Sequence, residues 1–401
     1  MIDFPALKDI VDSTPSKIVM IVVDGLGGAP SSKTGLSELE TAKLPNLDRL
    51  AKESSGGLTI PVAPGVAPGS GPGHLSLFGY NPLKYFIGRG VLEALGIGVS
   101  MGDDDVAARG NFCLLDKEGL LVDRRAGRIS SQESSPLVEV LDEIDIDGAE
   151  LSIFPVKDYR FVFLMKGEGL SDKLTETDPQ RIGVAPLEVE ALDGNAENAR
   201  NLTNAFLLEA RERLMNQERA NMVLLRGFSR VPRFPSFADA YKLNAAAIAA
   251  YPMYRGLANV VGMSVINCGV EFEDEIDSLA ENYNDHDFFY VHYKPADAEG
   301  EDGNFGGKVK ALEALDSMIP RILDLDPDVV VVAGDHATPS ILAAHSWHYV
   351  PVLIRSKHTL GDGVGSFSER ALAQGSLGTF QAEHLMLQVL SHAGKLSKYG
   401  P

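Results

Sequence analysis

The sequence predicts an α/β fold: a parallel sheet with helices on both faces, interrupted by a smaller inserted α+β domain. Three observations carry this. The runs at 17–23 (KIVMIVV), apolar from Ile18 on, and 329–333 (VVVVA) are rich in β-branched residues, the pattern of strands buried on both faces. Each run stops at a chemically capable group, Asp24-Gly25 in one case and Gly334-Asp335-His336 in the other. Between about 105 and 240 the texture shifts to shorter alternating segments, such as 107–115 and 159–165 (YRFVFLM), which suit a mixed sheet. A chain of 401 residues exceeds one ordinary core. The expected division is therefore 1–104 with 241–401 for the sheet domain, and 105–240 for the insertion.

Composition narrows the function. With 44% hydrophobic and 23% charged residues the chain is that of a globular protein. A formal charge of −20 argues against nucleic acid or an anionic membrane as partner. An anionic substrate would need basic residues gathered locally against that field. The two cysteines, Cys113 and Cys268, supply neither a disulfide framework nor a thiolate metal site, and read as buried residues in a reducing compartment. The first 17 residues lack the basic and apolar regions of a signal peptide, and the run at 18–23 is too short to span a bilayer. A cytoplasmic location is expected.

The elements follow in order. After the first strand, 44–53 reads as a short amphipathic helix with Leu47, Leu50 and Ala51 on one face. The stretch 64–82 (PGVAPGSGPGHLSLFGYNP) reads as a tight bend holding Ser70 between two glycines. Glycine there permits positive φ and close backbone approach, as an exposed nucleophile needs. His74, Leu75, Leu77 and Phe78 suggest a short helix packed behind the bend. Helical periodicity returns at 196–216, a short strand at 222–225 precedes Arg226-Gly227, and 231–237 (VPRFPSF) reads as a hinge. Later come a strand at 288–292 running on to Asp297, a helix at 309–323 containing Pro320, and a strand at 350–354.

Three strands thus lead to metal-type groups: Asp24, Asp297 and Asp335-His336, with His345 close behind. In a parallel sheet such strand ends share one edge, where ligands bind. Carboxylates and imidazoles without cysteine suit Mn²⁺, Mg²⁺ or Zn²⁺. Two such ions could activate Ser70 and hold the attacking and leaving oxygens of a phosphoryl displacement. Taken singly, Asp24 before glycine is an ordinary turn former, and Asp335-His336 could cap a following helix. Their joint occurrence favours the shared purpose.

These residues resemble the alkaline phosphatase superfamily, and within it the archaeal-type cofactor-independent phosphoglycerate mutases. The matching pieces are VVDGLGG at 22–28, PGSGPGHLSLFGYNP at 68–82, DRRAGR at 123–128, LLRG at 224–227, ADAEGEDGNFGGKV at 296–309, and AGDHATP followed by AHS at 333–346. The resemblance implies an alkaline-phosphatase-like fold and a dinuclear site. Asp24, Ser70, Asp335 and His336 would hold one ion, and Asp297, Glu301 and His345 the other. Ser70 would carry the phosphoryl group in the intermediate. The family commonly has histidine where this chain has Glu301, an exchange that turns preference from Zn²⁺ towards Mn²⁺ or Mg²⁺. Substrate arginines would be Arg124, Arg128, Arg160, Arg226 and Arg255, suited to bidentate capture of phosphate and carboxylate; Arg125 is a further candidate. The implied reaction interconverts 3-phosphoglycerate and 2-phosphoglycerate without 2,3-bisphosphoglycerate. A homoserine-kinase-like phosphotransferase or a metal-dependent phosphomonoesterase on the same scaffold is the alternative, and a binding protein that has lost its chemistry is the third. The partner expected is a small phosphorylated acid, with no nucleic acid and no membrane; homo-oligomerisation stays open.

Overall fold

The computed structural model describes residues 2–99 and 101–400. The chain divides into two compact units, one formed by 1–86 with 234–401 and the other by 87–233. The second unit thus begins ahead of the 105 read from composition, since the helix Arg89–Gly96 packs on strands of that unit, and it ends ahead of 240.

In the first unit eight strands form one sheet in the order β13-β2-β12-β11-β1-β10-β8-β9. They are β1 (Ile18–Val23), β2 (Ser55–Ile60), β8 (Ala245–Ile248), β9 (Ser264–Ile266), β10 (Phe288–Tyr293), β11 (Val329–Ala333), β12 (Val350–Ser356) and β13 (Gly378–Gln381). At its centre β1 lies between β10 and β11, parallel to both, with Val22 level with His292 and Ala333. Only β12 runs against the rest, antiparallel to β11 and β2. An apolar run of that length carries no mark of direction, so the expected all-parallel sheet becomes a mixed one here.

All six residues of β1 are fully buried, so both faces of the sheet are covered. Val19, Ile21 and Val23 share a core with Leu312, Leu315, Ile319 and Ile322 of the helix Phe305–Leu323, with Leu47 and Leu50 of Pro45–Lys52, and with Ile276 and Leu279 of Phe272–Glu281. Each such side chain contributes about 1.5–3 kcal/mol through burial. That anchoring fixes the strand ends on which the site stands.

Among the described residues the second unit has five strands: β3 (Val106–Leu115), β4 (Leu121–Asp123), β5 (Glu150–Pro155), β6 (Arg160–Lys166) and β7 (Met222–Ser229). β3 is central, pairing antiparallel with β4, β6 and β7. The helices Ser131–Asp142 and Glu197–Leu214 cover the sheet through Val138, Leu141, Phe206 and Leu214, set against Phe112, Phe161 and Phe163. Arg226 and Gly227 fall inside β7 rather than beyond its end. The register against β3 shifts there, and Gly227 takes φ +64°, a bulge that re-aims the side chains beside it. Cys113 is buried and Cys268 only half-buried; both are free thiols.

Candidate active site

Ser70 is the first residue of the helix Ser70–Leu77, not the tip of an open loop. Gly71-Pro72-Gly73 disfavour a helix interior but fit a first turn, where Pro72 lacks only an amide that has no helical partner. First-turn amides point outward and make a helix N-terminus hospitable to phosphate. Gly73 allows the helix to lie on the end of β11: a Cβ there would sit 2.3 Å from the Asp335 carbonyl oxygen. The Ser70 hydroxyl consequently stands 3.1 Å from His336 Nε2.

Asp24 follows β1 and Asp335-His336 follow β11, so the parallel pairing sets them side by side. Asp297 arrives differently, in the first turn of the helix Pro295–Glu301 beyond β10. No helix follows Asp335-His336, so they cap nothing. Asp24, Asp335 and His336 form one group with ligand atoms within 4.8 Å of one another; Asp297, His336 and His345 form another. Gly25, at φ +65°, is required between them, since a Cβ would lie 2.7 Å from Thr338 Oγ1 and 2.8 Å from Asp297 Oδ1.

The hydrogen bonds decide what these groups can hold. Asp24 Oδ2 accepts from the Tyr254 hydroxyl and from Lys294 Nζ at 3.0 Å, with His292 Nε2 at 3.3 Å. Its Oδ1 has no hydrogen-bond partner. Asp335 repeats the division: Oδ1 accepts from the Gly25 amide at 3.2 Å, while buried Oδ2 is unpartnered. Both orphaned oxygens lie 3.2 Å from His336 Nε2. Thr338 Oγ1 donates to Asp297 Oδ1 at 2.6 Å, so its contact with His336 Nδ1 at 3.0 Å needs the proton on Nδ1. That leaves Nε2 as the ring nitrogen facing the carboxylates and Ser70, where a metal would bind it. His345 is fixed likewise, Nδ1 donating to the Pro68 carbonyl at 2.9 Å and Nε2 facing Asp297 Oδ1 at 3.6 Å.

Two buried carboxylate oxygens without hydrogen-bond partners therefore converge on His336 beside the Ser70 hydroxyl, an arrangement that a bound cation would satisfy. Without a cation, a proton on His336 answers the same two carboxylates. Burial opposes charge on the His336 ring, yet Asp335 and Asp24 push its pKa up to about 9. Burial likewise opposes ionisation of Asp24, but His292, His336 and Lys294 hold its pKa well below the usual carboxylate range. The buried oxygen-and-nitrogen donor set fits a divalent ion.

Of the residues singled out from sequence, Asp24, Ser70, Asp297, Asp335, His336 and His345 come together. Glu301 stands at the rim, its half-exposed side chain 3.4 Å from His345 Nε2 and outside the Asp297 group. The arginines of the second unit are in part paired already. Asp178 grips Arg124 with two bonds of 2.7 Å and reaches Arg226 at 3.4 Å, while Glu176 binds Arg226 at 3.1 Å. Arg160 shares the surroundings of Glu93 with Arg89 and Arg109, neither of which stood out in the sequence. Arg128 is exposed in a turn where Ala126, Gly127 and Arg128 all take positive φ, and Arg255 bonds Asn267 at 2.5 Å.

The sequence reading also missed Lys294, whose ammonium lies 3.0 Å from Asp24 and 2.5 Å from Asp297, and the buried His292 and Tyr254 stacked at 3.7 Å. His74, read as packing, places Nδ1 2.9 Å from the Ser70 carbonyl and 3.1 Å from Asp335 Oδ2. A signal existed for Lys294, a charged residue directly after an apolar strand. None existed for Tyr254.

Comparison with known proteins follows the same line. A family model described as 2,3-bisphosphoglycerate-independent phosphoglycerate mutase matches residues 51–220. A protein of Thermus thermophilus named probable 2,3-bisphosphoglycerate-independent phosphoglycerate mutase is 50% identical over 402 residues, covering 99% of both chains. The chain belongs to this family. A similarly named Thermotoga maritima protein is 50% identical over 98% of both chains. Among solved structures, the cofactor-independent phosphoglycerate mutase of Thermoplasma acidophilum aligns with TM-score 0.73 and 28% identity, over 94% of this chain and 100% of its own. A protein of Pyrococcus horikoshii aligns with TM-score 0.83 and 28% identity, over 98% and 100%. The family resemblance read from the motifs is borne out, as is the enzyme class, an isomerase that transfers phosphate within its substrate. Membership of this mutase family implies use of a divalent metal, which the donor set around His336 accommodates. Among the described residues no helix is long and apolar enough to cross a membrane.

Proposed function

We propose that this chain interconverts 3-phosphoglycerate and 2-phosphoglycerate through a phosphorylated Ser70. The observation that carries the reading is the Ser70 hydroxyl at the head of a helix, 3.1 Å from His336 Nε2, beside two orphaned carboxylate oxygens. The Ser70 oxygen attacks phosphorus, an O–P bond forms, and the bond from phosphorus to the substrate's C3 oxygen breaks. The serine proton is matched by the proton that the departing alkoxide takes up. The glycerate turns, its C2 oxygen attacks the phosphoserine, and Ser70 is regenerated with no net water and no bisphosphoglycerate.

Asp24, Asp335 and His336 with Ser70 are assigned to one ion, and Asp297 with His345 and Glu301 to the other. Divalent ions there would lower the pKa of the serine hydroxyl and neutralise phosphoryl oxygens. The engagement of His336 Nδ1 by Thr338 supports placing its free nitrogen with Asp24. Oxygen from Glu301 at the second position favours Mn²⁺ or Mg²⁺ over Zn²⁺. Lys294 offsets the charge of Asp24 and Asp297. Arg124, Arg128, Arg160, Arg226 and Arg255 are assigned to the substrate's phosphate and carboxylate, and the second unit to gripping it.

A coupled assay with Mn²⁺ and no bisphosphoglycerate tests this, together with mass spectrometry of Ser70 after incubation with substrate. Turnover should fall at least ~10³-fold in Ser70→Ala, as expected for loss of a nucleophile. Near-normal turnover in that variant would end the reading.

A further inference from the structure

Lys308, in the first turn of the helix Phe305–Leu323, has no solvent exposure. Its ammonium donates to three backbone carbonyls: Gly25 at 2.7 Å, Gly27 at 2.9 Å and Thr338 at 2.8 Å. An ammonium has three protons, so its donor capacity is fully used. The recipients are not spread over the core. Gly25 and Gly27 belong to the turn that follows Asp24, and Thr338 to the segment that follows Asp335-His336. The Thr338 amide donates to the Gly27 carbonyl at 3.0 Å, closing the two segments on each other. The Thr338 hydroxyl then reaches Asp297 and His336. One side chain therefore ties together the backbone segments that present Asp24 and Asp335-His336, and Thr338 carries the tie on to the Asp297 carboxylate.

A buried ammonium is a poor way to stabilise a core, since an apolar side chain of the same volume avoids the desolvation cost. Its retention calls for something an apolar residue cannot do. Carbonyls turned inward at Gly25, Gly27 and Thr338 need donors; burial lowers the Lys308 pKa, and the neighbouring carboxylates of Glu38, Glu369, Asp297 and Asp24 offset only part of that.

We infer that Lys308 is a positioning residue, pinning the segments after Asp24 and after His336 so that their ligand atoms converge before any cation arrives. The inference rests on the divalent-centre reading above. Its test is Mn²⁺ titration calorimetry on Lys308→Met and Lys308→Ala, with circular dichroism to verify the fold. Affinity should fall about 10-fold or more, the usual effect of removing a group that orients metal ligands. Added n-propylammonium, which replaces the missing side chain, should restore it in Lys308→Ala. A folded Lys308→Met that binds Mn²⁺ as tightly as the unaltered protein overturns the inference.

Should neither variant fold, hydrogen exchange on the unaltered, metal-stripped protein decides. The Thr338 and Gly25 amides should be protected without metal; free exchange until Mn²⁺ is added overturns the inference. An unaltered protein that takes up no divalent ion at all would sink the centre and this inference together, a result distinct from the others.

Discussion

Asp24 and Glu275 are both buried carboxyl groups of the first unit, and their surroundings treat them oppositely. Burial raises both, but Asp24 has Tyr254, His292 and Lys294 as donors and stays ionised. Glu275 has the Ala250 amide on Oε1 at 3.1 Å, while Oε2 is unpartnered, so burial prevails and its pKa is pushed up to about 8. The ordinary value is 4.5. Between those two values the folded chain keeps a proton that the unfolded chain has released. By linkage, stability therefore falls as pH rises through that window and levels off above it. Glu275→Gln keeps the oxygen for Ala250 and removes the titration. It should raise Tm over the unaltered protein by a few degrees at pH 8.5 and by much less at pH 5. Thermal melts at the two pH values check this; an equal difference at both would refute it.

At the scale of elements, the Ser70–Leu77 helix is held against β11 by an absence, the missing side chain of Gly73. Gly73→Ala must shift the Asp335 backbone or lift the helix, separating Ser70 from His336. Such overpacking costs about 1–3 kcal/mol of stability. Turnover should fall far more than the melting temperature suggests, and measuring both on one preparation tests it. This close approach also shows what a sequence conveys. The runs at 17–23 and 329–333 declare buried strands, and Asp24, Ser70 and Asp335 announce themselves by residue type beside glycine or a strand end. Lys308 and Tyr254 do not, because each sits among mostly apolar residues on a buried helical face, and only packing shows what it reaches. His292 is hidden for a similar reason, inside a strand that reads as hydrophobic. The helical first turn at Ser70 was obscured because glycine and proline signal a loop wherever their place in a turn is unknown.

For the whole molecule, a charge of −20 acts on two kinds of ligand with opposite sign. It draws divalent cations in and repels phosphoglycerate, whose capture is assigned under the proposed function to local arginines. Salt screens this long-range field within a Debye length of about 8 Å at physiological ionic strength. Raising NaCl from low to physiological levels should therefore slow Mn²⁺ association and speed that of phosphoglycerate. Stopped-flow measurements of the two should give slopes of opposite sign, and slopes of the same sign would contradict the account.

The reversed strand β12 has one more consequence. Because it returns beside β11, the excursion at 334–349 forms an arch with both feet in neighbouring strands, joined from Val329 with Ser356 through to Ala333 with Val352. Asp335, His336 and His345 ride on that single arch, whose crown at 341–344 is exposed. A protease nick at the crown would leave two fragments still zipped by the backbone ladder, and the chain could be supplied there as two halves that reunite.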